Sequence, residues 1–156
     1  MGEDLFQTDY RLLFERSADA MLLIDGQQFM DCNQATVDML GYPNRQQLLD
    51  THPSELSPPQ QPDGQNSFDK ANEMIAQAMR KGSHRFEWTH RRANGEDFPV
   101  EVLLTVIPFK GREILHTAWR DITERKAAEA SLRLAKQILE STSEGVIVTD
   151  LTPVII

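Results

Sequence analysis

The residues of this chain that could do chemistry are few and scattered. Cys32 is the only cysteine among 156 residues. No internal disulfide and no cysteine-based zinc site can therefore form within one chain. His84, His90 and His116 lie in or beside strand-like segments, each without a metal-ligand spacing around it. Each is either a polar strand position or, for His90 and His116, a group turned into a pocket. Glu96 and Asp97 are adjacent carboxylates, but they follow Asn94-Gly95, a hairpin signal, and read as solvated turn residues. The chain carries no phosphate-binding glycine loop, no His-Glu-x-x-His and no Cys-x-x-Cys. A catalytic residue and a metal site are therefore not expected.

Composition narrows the remaining classes. Sixteen Lys and Arg stand against 24 Asp and Glu, for a net charge of −8. That balance disfavours a general nucleic-acid binder, which presents a basic face. The local cluster Arg85, Arg91 and Arg92 is interrupted by Glu87 and reads as the solvated side of a strand. No apolar run is long enough to span a bilayer and no signal peptide follows Met1. A soluble, cytoplasmic domain without membrane contact is expected, whether or not a parent protein is membrane-attached.

The elements that would position these residues follow from periodicity. "DLFQTDYRLLFERS" (4–17) places leucines and aromatics at helical spacing. "AMLLID" (20–25) and "QFMDC" (28–32) read as two strands joined by a turn at Gly26. Asn33 caps a helix that stops at Gly41. The stretch 43–65, with "SPPQQPDG", reads as short helical turns and loop. Residues 66–82 form a helix with Phe68, Ala71, Met74, Ile75, Ala78 and Met79 on one stripe. Three strands follow at 84–92, 98–109 and 113–122, joined by tight turns that make neighbours antiparallel. The order predicts an α+β fold with helices packed on an antiparallel sheet. Near the C-terminus, "LESTSEGVIVTDLTPVII" matches "FERSADAMLLIDGQQFMD" in register, Glu140 on Glu15 and Asp150 on Asp25, an offset of 125 residues. The reading is a second copy of the same domain, cut off in its second strand.

These stretches together resemble a PAS sensor domain with its C-terminal PAC motif. "SADAMLLID" is similar to the family's first strand, and "DCNQATVDMLGY" to its strand-to-helix element. "FEWTHRRANGEDFPVEV" is similar to its hairpin and "WRDITERKAAE" to its closing motif. The resemblance implies a five-stranded antiparallel sheet with helices over one face, frequent enclosure of a ligand, and frequent dimerisation through flanking helices. The expected organisation is an N-terminal amphipathic helix (1–17), the sensor domain (18–123), a linker helix (124–141) and the truncated start of a second PAS domain (142–156).

Within that frame, Met39, Met74, Ile75, Met79, Trp88, His90 and His116 form a candidate ligand pocket. Methionine suits an adaptable pocket wall and equally fills a core, so both readings stand. Light-sensing relatives with flavin carry their cysteine inside a helix, whereas Cys32 ends a strand, so covalent flavin photochemistry is not supported. Haem-binding relatives place a histidine on the long helix, and 66–82 contains none. No cofactor, or a small metabolite, is expected.

Asp121, Ile122 and Thr123 form a candidate output joint. Asp121 is able to cap the following helix, with Glu124 three residues on. Along that helix Ala128, Leu132, Ala135 and Leu139 are spaced four, three and four apart, an a/d seam of about two heptads. Two readings follow, a homodimer helix or an amphipathic helix packed on its own domain. The expected function is a sensory and relay input of a signalling protein. Its output, by resemblance, is a cyclic-di-GMP synthase or phosphodiesterase. A sensor histidine kinase is the runner-up, and a ligand-free dimerisation scaffold is the alternative from another class.

Overall fold

The computed structural model describes residues 11–26, 28–51 and 53–142. Among these, the residues up to Asp121 form one compact unit, and those from Ile122 form a second. The first unit is built on five strands: β1 (Ala20–Asp25), β2 (Gln28–Cys32), β3 (Ser83–Arg91), β4 (Asp97–Phe109) and β5 (Arg112–Asp121). Their spatial order is β2-β1-β5-β4-β3 and every pairing is antiparallel. The last strand therefore lies in the middle of the sheet, with Ala20 opposite Trp119 on one side and Val102 opposite Trp119 on the other.

Period-two alternation decides which face is buried. Along β4, Phe98, Val100, Val102 and Leu104 point into the core, while the residues between them are less buried. Along β5 the inward set is Leu115, Thr117 and Trp119. The inward face is covered by α2 (Gln34–Leu40), α3 (Arg45–Asp50), a 3-10 turn (Pro53–Leu56) and α4 (Ser67–Lys81). Val37, Leu40, Leu48, Leu56, Met74 and Ala78 from these elements join the core. Each fully buried leucine contributes about 2 kcal/mol through removal of apolar surface from water. This is the predicted α+β arrangement, with helices over one face.

Local chemistry sets the boundaries. Asn66 accepts from Asp69 N at 3.1 Å to open α4, and Gly82 closes it at φ 91. Asp69 in its first turn and Arg80 and Lys81 in its last complement the helix dipole. The two later hairpins divide the turn types differently from expectation. Lys110 and Gly111 both have positive φ (50 and 81), which is the two-residue turn that matches strand twist. At Asn94-Gly95 only Gly95 is left-handed. There Gly95 N reaches Arg92 O at 2.9 Å and Arg92 N reaches Glu96 O at 2.8 Å, so the loop is longer than two residues.

Residues 11–16 are helical (α1), with Phe14 buried and Leu12 and Leu13 exposed. The earlier part of the predicted helix and the repeat at 143–156 lie outside the described residues. The second unit contains α5 (Thr123–Thr142), which begins one residue before the predicted 124.

Candidate functional site

The inward face of the sheet is not completely filled. A cavity of about 320 Å³ lies between the sheet, α4 and the segment 56–59. Its walls are largely aromatic and aliphatic, with Phe29 from β2, Phe86 and Trp88 from β3, Trp119 from β5 and Ile75 from α4. The exposed Gly26, Phe68 and Asn72 also line it, so it opens at the surface. Its size falls at the low end of ligand pockets.

The polar residues of its lining are Ser57, Asn66, Ser67, Asn72, His90 and Thr117, of which His90 and Thr117 come from the sheet. His90 is 7% exposed and Thr117 is 2% exposed. His90 Nδ1 lies 2.9 Å from the Leu56 carbonyl, which can only accept, so Nδ1 carries the proton. Burial pushes the imidazole down to about 4, with the Leu56 hydrogen bond opposing, so the ring is neutral near pH 7. Its Nε2 is then a bare acceptor. His90 Nε2 and Thr117 Oγ1 are buried, and neither has a hydrogen-bond partner among the described residues.

The segment that closes the cavity is pinned to β3 by side chains of its own. Trp88 Nε1 donates to Ser57 Oγ at 3.0 Å. Gln61, 4% exposed, accepts from Thr89 N at 2.8 Å and donates to Thr89 O at 3.1 Å and Ser67 Oγ at 2.9 Å. Ser67 Oγ donates onward to Pro58 O at 2.6 Å. A loop rich in proline and glutamine is thereby tied to β3 and to the start of α4.

Of the seven predicted pocket residues, Ile75, Trp88 and His90 line this cavity. Met74 is buried in the hydrophobic core, and Met79 is 44% exposed at the edge of its stripe. Met39 packs against the core from α2, and its carbonyl accepts from Arg92. His116 is half-buried on the opposite face of the sheet, because it alternates with Thr117 along β5. Thr117, Gln61 and Ser67 belong to the site or its wall without being among those seven. Period-two alternation along "EILHTAW" was the signal that would have placed Thr117 inward beside Trp119. Cys32 is fully buried among core residues, and burial pushes its thiol up to about 11, which makes it a weak nucleophile.

The joint residues follow one another along the chain. Asp121 ends β5, and Thr123 opens α5. The Asp121 carboxylate lies 3.3 Å from Arg92 Nη2. Arg92 also pairs with Glu96 at 2.9 Å, donates to the Met39 carbonyl, and stacks its guanidinium 3.8 Å above the Phe98 ring. One side chain thus gathers the β3–β4 hairpin, the end of α2 and the end of β5. In α5, Ala128, Leu132, Ala135 and Leu139 are all exposed, Leu132 at 71% and Leu139 at 64%. No helix among the described residues is long and apolar enough to cross a membrane, and no group of three potential metal ligands occurs among them.

A five-stranded antiparallel sheet of this order, with helices on one face and a cavity between them, defines the class of the domain as α+β. The family model for the PAS domain matches residues 18–124, and the chain belongs to that family of sensor domains. It is 31% identical over 134 residues to the methyl sulfide methyltransferase-associated sensor of Methanosarcina acetivorans, covering 85% of this chain and 13% of that relative. The chain therefore spans a small part of that protein's length. A domain of a sensory box sensor histidine kinase/response regulator from Geobacter sulfurreducens has a similar structure. It shows 26% identity and a TM-score of 0.53, over 73% of this chain and 94% of the other. The PAS domain of a protein from Colwellia psychrerythraea superposes with a TM-score of 0.66 at 19% identity, over 76% and 98%.

Proposed function

We propose that the chain is the ligand-sensing input and relay module of a multidomain signalling protein. The cavity carries this reading. Unfilled core volume costs stability, and a buried polar atom without a partner costs about 1–3 kcal/mol. A domain whose task was only to hold two chains together would gain from filling the space. Retention of both features fits a site used by a small molecule.

The route outward is short. Thr117 and Trp119 line the cavity and lie four and two residues before Asp121 on the same strand. A ligand that shifts β5 shifts Asp121, Ile122 and Thr123, and with them the start of α5. The exposed a/d positions Ala128, Leu132, Ala135 and Leu139 suit pairing with α5 of a second copy, so that signalling is a change in population between two helix arrangements. On this reading residues 18–123 sense, 124–141 link and 142–156 begin a second sensor copy. No chemistry is assigned to the module itself. The output is proposed to be a cyclic-di-GMP synthase or phosphodiesterase, from the resemblance of the linker and repeat. A sensor histidine kinase is the second reading, supported by the 26% identical domain from such a protein.

Native and denatured masses of the purified chain test the sensing reading. A mass excess released on denaturation is the expected result. A bare chain that also binds nothing in a fragment screen by NMR would overturn ligand sensing and leave the scaffold.

A further inference from the structure

The cavity gathers much of the chain's aromatic surface. Both tryptophans of the sequence line it, Trp88 and Trp119, and so do three of its seven phenylalanines, Phe29, Phe68 and Phe86. The Phe86 and Trp88 rings stand at 82° with centroids 6.0 Å apart, so the wall presents ring faces in one direction and ring edges in another. The polar atoms of the lining offer an occupant little. His90 Nε2 and Thr117 Oγ1 expose almost no surface. Ser57 Oγ accepts from Trp88 Nε1, and Ser67 Oγ is held between Gln61 and the Pro58 carbonyl. Asn66 and Asn72 stand at the exposed rim. No Asp, Glu, Lys or Arg is among the lining residues, and the His90 ring is neutral near pH 7. A charge carried inside would lose its hydration with no counter-charge in the wall. The volume sets the size. An apolar cavity of roughly 150 Å³ takes one benzene ring, so about 320 Å³ takes about two rings.

Resting on the sensing reading above, we propose that the ligand is an uncharged aromatic molecule of two fused or linked rings. It lies against Phe86, Trp88 and Trp119 on the sheet and Ile75 on α4. Aromatic pairs gain beyond the area they bury, through the attraction of ring edges to ring faces. A rigid ring pair also has few torsions to freeze on entry, unlike an alkyl chain of equal volume.

The test is run on the whole chain by ¹H–¹⁵N NMR. The two indole Nε1–H signals are followed, since both tryptophans line the cavity. Four probes share one ring skeleton: 2-naphthylmethanol, its fully hydrogenated analogue, 2-naphthoate and 2-naphthylmethylamine (a cation at pH 7). The aromatic alcohol is expected to bind and move both signals. Its hydrogenated analogue should bind about tenfold more weakly, having the same shape class but no ring quadrupole. Neither charged probe should reach saturation. Ala71→Leu adds volume at a lining position of α4 with a residue that favours helix, so it should fold. It is expected to weaken the aromatic alcohol about tenfold. Phe86→Leu keeps an apolar wall without its ring, and should cut the preference over the hydrogenated analogue about threefold. Equal binding of that analogue, saturation by either charged probe, or an affinity indifferent to Ala71→Leu would overturn the proposal. So would a co-purifying molecule that proves to be charged or aliphatic, and in that case the sensing reading survives. A chain that carries no ligand, and whose indole signals move neither with the probes nor in the fragment screen, overturns both.

Discussion

Asn33 shows how much one side chain can organise. It is fully buried, and its Oδ1 accepts from Met21 N at 3.0 Å, Thr36 N at 3.1 Å and Thr36 Oγ1 at 2.8 Å. Its Nδ2 donates to Phe14 O at 2.8 Å and Asp19 O at 3.0 Å. One amide thus caps α2 and ties α1 and the lead-in to β1 together. Asn33→Ala removes a cap and strands several buried groups, so it should cost about 3 kcal/mol, read as a lower urea midpoint. His90 contributes a pH dependence of defined sign. An unfolded histidine titrates near 6.5 and His90 in the fold near 4, held down by burial. Between those values the unfolded chain binds the extra proton, so stability falls as pH drops from about 6.5 to about 4. By pH 5 the loss from this group is about 2 kcal/mol. His116 is also shifted downward by burial and acts in the same direction. Urea midpoints at pH 7 and pH 5 measure the sum, and a flat profile would refute the assignment of a buried neutral ring.

At the scale of elements, Arg92 is the junction between the β3–β4 hairpin and the last strand. Its bonds to Glu96, the Met39 carbonyl and Asp121 use the planar fork of the guanidinium, which lysine lacks. Arg92→Lys should leave the fold intact at a cost of about 1–2 kcal/mol. It should also raise hydrogen exchange at the backbone amides of residues 119–121, read by mass spectrometry. Unchanged protection there would remove Arg92 from the relay. The strands, α2 and α4 were legible in the sequence because their apolar periods and caps are local properties. The cavity was legible only in part. Ile75, Trp88 and His90 could be read from helix stripe and strand alternation. Met79 and Met74 carry the same periodic signal, yet one lies at the edge of the stripe and the other inside the core. Volume left between elements is a property of packing, and no local pattern encodes it. The hairpin turns make the same point, since Asn94-Gly95 carried the stronger signal while Lys110-Gly111 adopts the tighter turn.

For the whole molecule, the proposed pairing of two copies through α5 is open to a direct test. The 20 residues of this helix extend about 30 Å and leave Leu132, Leu134 and Leu139 at 71%, 58% and 64% exposure. If the proposed α5 pairing holds, the chain is a dimer in light scattering and the double change Leu132→Glu with Leu139→Glu converts it to a monomer while circular dichroism of the sheet persists. A monomeric parent chain would exclude the paired helix. The strand order carries a different consequence, for biosynthesis. β1 pairs only with β2 and β5, and β4 only with β3 and β5. Until Arg112–Asp121 has left the ribosome, the emerging protein is therefore two separate hairpins, each marginal in water. At about 5–20 residues per second the first hairpin waits several seconds for its neighbour, with apolar side chains uncovered. A chain stopped before residue 112 should aggregate or require a holdase, and the full domain should acquire protease resistance in one late step during translation.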